Sequence, residues 1–431
     1  MLAMGRYADP RAPDPPSEGH TVTKSLSDTT GARAPQRFMR DPIAARRVAA
    51  PLRLLVGAAP DPTDDERDRL GRALMERDEP ADALVRAIRE DHIVTMPMFR
   101  QALEHGIDSI PDPPDPLRDF FETLARTPDW VDEAKLTHGA RVLRRVGLDA
   151  SLVLGYGSLL GGYNNSGPLP LLMASGKLTG EQTLRRVSET SVWWRAVTAP
   201  DGLERFGEGW KLTVHVRAMH AFLNYHHEHD PAWRSDVRGL PINQFDQAGT
   251  LGLFSTTFLI HTRVLGLRYT KADADAAMHL WCYVGWLMGV DEHWLPFTEA
   301  GGRRMIYHIG TASPAADANS LALAKSLIES PKLIHHKNFQ RVRRTYDYER
   351  GLSLATTLLG PAGVRALRVP MRPPWYPVWR AAANTVKHRV IARLPGGQRW
   401  VDARAERQLD DAHRRLLGGE RPPIGQITHS D

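Results

Sequence analysis

The chain has a single cysteine, Cys282, set in an apolar run. An intrachain disulfide and a cysteine-ligated metal cluster are both excluded, and the usage leans toward a reducing compartment. No apolar stretch reaches the roughly 18–20 residues that span a bilayer. The longest, SLVLGYGSLLGGY, GTLGLFSTTFLI and HLWCYVGWLMGV, all fall short. The N-terminus lacks a signal-peptide apolar core. Arg46-Arg47 before VAAPLRLLVGAA resembles a twin-arginine signal only faintly, because it starts far into the chain and Arg53 interrupts its apolar part. It reads as the first core segment. Strand alternation and internal repeats are missing. GYGSLLGG (155–162) has the wrong glycine spacing for a dinucleotide or P-loop motif, HExxH does not occur, and no acidic run has calcium-loop spacing. The glycines of GYGSLLGG instead suit close approach to a neighbouring helix or a flat cofactor.

What is present is a chain of 431 residues, 42% hydrophobic, with eleven tryptophans and a net charge of +6. The charge is uneven. From Arg365 to the end there are 13 Lys and Arg against 6 Asp and Glu, which alone gives +7. Such a basic region suits a solvated surface or peripheral contact with an anionic membrane. Nucleic acid is not expected. The expected location is cytoplasmic, with membrane-peripheral contact as an option, and the oligomeric state is left open.

Periodicity predicts an all-α protein with a single large helical domain. Residues 1–44 are rich in Pro, Asp, Ser, Thr and Arg and read as a disordered arm. The domain runs over 45–420, with a flexible tail at 421–431. Gly147 is expected to hinge two helices. A capping-box pattern, Thr179-x-x-Gln182, opens a five-turn helix that stops before Pro200. The next helix covers 207–230 and ends at Pro231. INQFDQAGTLGLFSTTFLIHTRVLG reads as one buried helix ending at Gly266. Thr270-x-x-Asp273 opens another that ends at Gly289. The stretch 376–417 gives two more, broken at LPGG.

Chemistry concentrates on two of these helices. His220 shares a helical face with Val216, Arg217, Leu223 and Asn224, mostly apolar with polar edges. A neutral imidazole there can ligate a transition metal, although spacing alone favours a core histidine bonded to a backbone carbonyl. Arg186 and Thr190 lie one turn apart, with Glu189 partly sharing their face. Arginine can hold a carboxylate, threonine can donate, and glutamate with a raised pKa can act as a base. An ordinary surface Arg–Glu pair is the alternative. In HHEHD, His226 and His229 point away from His227, so the cluster reads as a solvated cationic helix end. His335 and His336 are adjacent and cannot share one site.

TPDWVD, GYGSLLGGY, the LRRVSETSVW helix, VHVRAMHA, LPINQFDQAGTLGLFS and WCYVGWLMGV, taken together, resemble the rubber oxygenase (latex clearing protein) and mpaB-type oxygenase family. The resemblance implies a mostly helical fold with a globin-like core that holds haem b non-covalently, with dioxygen as co-substrate. It makes His220 the proximal iron ligand, with Arg186 and Arg217 as further cofactor-binding residues. Arg186, Glu189 and Thr190 become the catalytic candidates on the opposite helix. Relatives place a lysine just before that threonine, where this chain has Glu189. The resemblance also implies a glutamate base, for which 157–180 supplies no match. The expected substrate is apolar and unsaturated, isoprenoid-like or lipid. Absence of a clear export signal favours a small molecule over a polymer. A haem-binding sensor or carrier without turnover, and a haem-free scaffold, remain as rival readings.

Overall fold

The computed structural model describes residues 34–38, 43–174, 180–334 and 338–417, and every regular element among them is helical. An N-terminal layer consists of α1 (Ile43–Val56), α2 (Asp64–Ala73), α3 (Glu79–Arg89), α4 (Met96–His105) and α5 (Asp115–Ala125). Then α6 (Glu133–Arg144) and α7 (Leu148–Val153) run through one π turn, Leu154–Leu159, into the short α8 (Leu160–Gly162). After α9 (Leu169–Ala174) come the two long helices α10 (Gly180–Val197) and α11 (Glu208–Glu228). They are followed by α12 (Ser235–Arg238), α13 (Gln244–Phe254), α14 (Thr256–Val264) and α15 (Lys271–Leu287). The chain closes with α16 (Glu299–Ala312), α17 (Ala318–Glu329), α18 (Gln340–Ala366), α19 (Trp375–Arg389) and α20 (Gly397–Leu417). None of the described helices is long and apolar enough to cross a membrane.

The helices start and stop where side chains satisfy the free backbone ends. Thr270 and Asp273 form a reciprocal capping box on α15, and Thr63 with Glu66 does the same on α2. Gly147, Gly266 and Gly289 sit at φ of +65°, +84° and +86°, a region glycine enters without steric cost, and each ends a helix or turns the chain between two. The Thr179 cap lies outside the described residues.

The core is organised around α15. Met278, Leu280, Trp281, Cys282, Val284 and Leu287 are buried round its whole circumference. Only a central helix can be apolar on all sides. It packs tightly on α6, where a Cβ at Gly139 would lie 2.3 Å from the Ala276 carbonyl oxygen.

Two details depart from the sequence expectation. The long apolar run is two helices, broken at Ser255 (φ −95°, ψ −88°). The Ser255 hydroxyl donates to the Leu251 carbonyl at 2.7 Å, the back-bonding that bends helices. Within the stretch read as a disordered arm, residues 34–38 pack onto the body. Phe38 is buried, and Arg37 donates to Asp246 at 2.5 Å.

Candidate active site between α10 and α11

The helices α10 and α11 form an antiparallel pair, tied near their connection by Trp193, whose indole N–H donates to the Thr213 hydroxyl at 3.0 Å. Arg186, Thr190 and Trp193 share one face of α10, and Thr213, Val216 and His220 share one face of α11. These faces look at each other. Seven residues away from the Trp193–Thr213 bond, roughly 10 Å along both axes, Arg186 is level with His220. Thr190, on the same face and only three residues from Trp193, is nevertheless exposed, and His220 keeps partial accessibility. Beyond that bond both facing sides therefore keep accessible surface. The end at the Trp193–Thr213 bond is aromatic. Trp193 lies 5.3 Å from Phe254 and 5.9 Å from Trp281, and Phe254 stacks on Trp281 at 5.3 Å. The buried Trp281 N–H has no acceptor.

Desolvation by the surrounding protein pushes the His220 pKa down to about 4, against a weaker opposing pull from Asp78. The imidazole is neutral throughout the physiological range. Its Nδ1 is buried without a partner. Leaving such a nitrogen unpaired costs about 1–3 kcal/mol. A core histidine bonded to a carbonyl has no such cost, so that reading does not describe Nδ1 of His220.

One turn earlier, Arg217 has its Nε and Nη2 donors on the two oxygens of Asp78, at 2.6 and 2.7 Å, with both side chains buried. It also lies over the Phe120 ring. Asp78 precedes α3, far away in sequence. Gly289 makes the pair possible, because a Cβ there would lie 2.1 Å from Asp78 Oδ2. Gln244 then fastens this corner, donating to the Gly289 carbonyl and accepting from the Asp291 N–H, both at 2.9 Å. Asn243 caps α13, and Asn224 exchanges two hydrogen bonds with the Ile242 backbone. The polar residues of LPINQFDQ are thus structural: they hold the loop that backs the His220 helix.

The α10 candidates are placed differently from one another. Arg186 donates to the Leu172 carbonyl at 2.9 Å. Its charge also reaches Tyr163, whose hydroxyl burial drives up to about 12. Glu189 pairs with Arg185 on the same helix at 2.9 Å and is half-buried. Among the histidines of HHEHD, His227 is not solvated: it is buried against the Trp233 ring. Among the described residues no cluster of His, Cys, Asp and Glu has the arrangement of a metal site.

Asp78, Tyr163 and His261 went unnoticed in the sequence. His261 is half-buried, with its Nδ1 enclosed and unpartnered and a pKa lowered to about 4 by desolvation. It presses on the π turn, where a Cβ at Gly157 would lie 2.3 Å from Nδ1, whereas nothing stands within 4 Å at Gly155. Gly157→Ala is therefore expected to lose about 1–3 kcal/mol by overpacking. Gly155→Ala, on the same turn, should be neutral or gain up to about 1 kcal/mol. Thermal melts of the two variants, side by side, test the contact; equal melting would refute it.

The helical fold, with α10 and α11 as its long pair, can be set against known proteins. Residues 144–394 match the family model described as ER-bound oxygenase mpaB/B'/Rubber oxygenase, catalytic domain. The chain is a member of that family, and the matched region contains both α10 and α11. The rubber oxygenase of Streptomyces sp. (strain K30) is 28% identical over 200 residues, 46% of this chain and 47% of that protein. The chain thus matches about half the length of this curated relative. The solved structure of latex clearing protein LCP in the closed state shares the fold, with a TM-score of 0.61 at 19% identity over 78% of this chain and 91% of that one.

Proposed function

We propose that this chain is a haem b-dependent oxygenase that uses dioxygen to oxidise or cleave an apolar, unsaturated substrate of isoprenoid or lipid type. The observation that carries the reading is the His220 imidazole, neutral, unpartnered and, by helix register, level with Arg186 on the neighbouring helix. Its donor chemistry fits haem iron: a neutral ring nitrogen can ligate without releasing a proton. Bound there, haem supplies the redox chemistry that makes dioxygen reactive, which amino-acid side chains cannot.

The chain's own residues do the rest. His220 fixes the group from the α11 side. Arg186, held by the Leu172 carbonyl, brings positive charge that suits a propionate or a reacting oxygen. Thr190 offers a hydroxyl donor on the same helical face as Arg186. Glu189 is the carboxylate closest in sequence to these groups and the candidate base, with Arg185 holding it in place. Trp193, Phe254 and Trp281 wall off water and favour an apolar substrate. Arg217 is committed to Asp78 through two donors, so its part is to position α11.

The second reading, a haem-binding sensor or carrier without turnover, draws on the Glu189–Arg185 pair, which leaves this carboxylate compensated. A pyridine haemochrome assay and oxygen-electrode traces with an unsaturated lipid or oligoisoprene distinguish the two. The oxygenase reading expects about one haem b per chain and substrate-dependent oxygen uptake. Haem without uptake supports the carrier. A protein that stays colourless when supplied with haem defeats both.

A further inference from the structure

The helix α19 is inverted for a surface helix. Beside the buried Tyr376 and Pro377 its inward side carries polar anchors: Arg380 Nε donates to the fully buried Asp149 at 2.6 Å, and Asn384 donates to Asp149 at 2.7 Å and to the Leu265 carbonyl at 2.9 Å. Its outward side is apolar. Trp375, Val378, Trp379 and Val386 are 41%, 64%, 57% and 53% exposed. Their spacing puts them in one stripe along the helix. Val390 and Leu394, 55% and 57% exposed, prolong it beyond the helix end. A stripe of large apolar side chains turned to solvent is a surface made for contact.

The charges around it indicate with what. Between Glu349 and Asp402 there is no acidic residue and there are nine Lys and Arg. Arg389, Arg393 and Arg399 are exposed beside the stripe. We propose that this face docks on an anionic lipid bilayer, with the tryptophans and valines in the acyl boundary and the arginines at the headgroups. Tryptophan and arginine are the side chains suited to that depth. A second copy of the chain fits poorly, because self-docking would set two cationic, acid-poor faces together. The segments 1–33 and 418–431 carry few large apolar residues with which to cover it. The inference stands apart from haem, and its test is read on protein with or without it.

The experiment is co-sedimentation of the full chain with vesicles of phosphatidylcholine and phosphatidylglycerol, against vesicles of phosphatidylcholine alone. Binding is expected to the anionic vesicles and to fall with salt. A Trp375→Ser/Trp379→Ser/Val386→Ser variant should lose about tenfold or more in partitioning. Arg389→Glu/Arg393→Glu should lose a similar factor at low salt only. Both variants touch exposed positions, and unchanged melting curves confirm that they fold. Failure of the wild type to bind anionic vesicles overturns the proposal. So does equal binding by the triple variant, or a concentration-dependent dimer in sedimentation velocity that the triple variant dissolves.

Discussion

His220→Ala is expected to abolish haem retention while leaving the haem-free protein about as stable as the parent. The two halves of that expectation come from different physics. The wild-type ring has a buried Nδ1 without a partner, which costs about 1–3 kcal/mol. Removing the ring removes that cost. The usual penalty of a large-to-small substitution is the new cavity, but His220 is already partly accessible, so the void made is not a closed one. The apo variant should therefore melt within about 1 kcal/mol of the apo wild type, or above it. Loss of the iron ligand acts only on the loaded protein, whose ligand-linked stabilisation should vanish. The checks are the melting temperature of apo and haem-supplied samples, and the haem absorption after gel filtration. Added imidazole, occupying the vacated space, should restore part of the absorption. A variant that is several kcal/mol less stable when haem-free, yet still retains haem when supplied with it, would make His220 a structural residue and remove the basis of the oxygenase reading.

The same residue shows what could be read from sequence. Helix period and caps are local properties, so α10, α11 and α15 and the face shared by His220 and Val216 were legible residue by residue. The split at Ser255 was not, because a serine inside an apolar run carries no sign of which carbonyl its hydroxyl will take. The partner of Arg217 was not legible either. Asp78 lies 139 residues away, and only the packing of α3 against α11 brings them together. Helical spacing also cannot say which side of an amphipathic helix faces the protein. The apolar stripe of α19 would by pattern be core, yet buried Asp149 draws Arg380 and Asn384 inward and turns the stripe out. The exposure of Thr190 beside the Trp193–Thr213 bond is likewise a tertiary fact, which no one-dimensional pattern encodes.

Asp78→Ala should be the most destabilising single change near the site. Arg217 and Asp78 are 6% and 10% exposed as side chains, so deleting the carboxylate leaves a guanidinium buried with Gly289 and Phe120 and without its counter-charge. Breaking a buried pair from one side costs about 3–5 kcal/mol. The partners decide the reading. If the cost is the stranded charge, Asp78→Ala/Arg217→Met should recover most of it, since an apolar side chain of similar length tolerates the site that the orphaned cation does not. Removing Asp78 should also relieve part of the charge that, after burial, holds the Asp82 carboxyl up at about 7. The link to function runs through α11. Arg217 precedes His220 by three residues, so loosening its anchor should weaken haem retention together with stability, the signature of a positioning residue. Denaturant melts of the cycle, with haem titrations on each variant, separate the possibilities. An Asp78→Ala protein that melts like wild type would remove the structural account of the pair. An Arg217→Met protein that keeps its stability but loses haem would return Arg217 to direct contact with the cofactor.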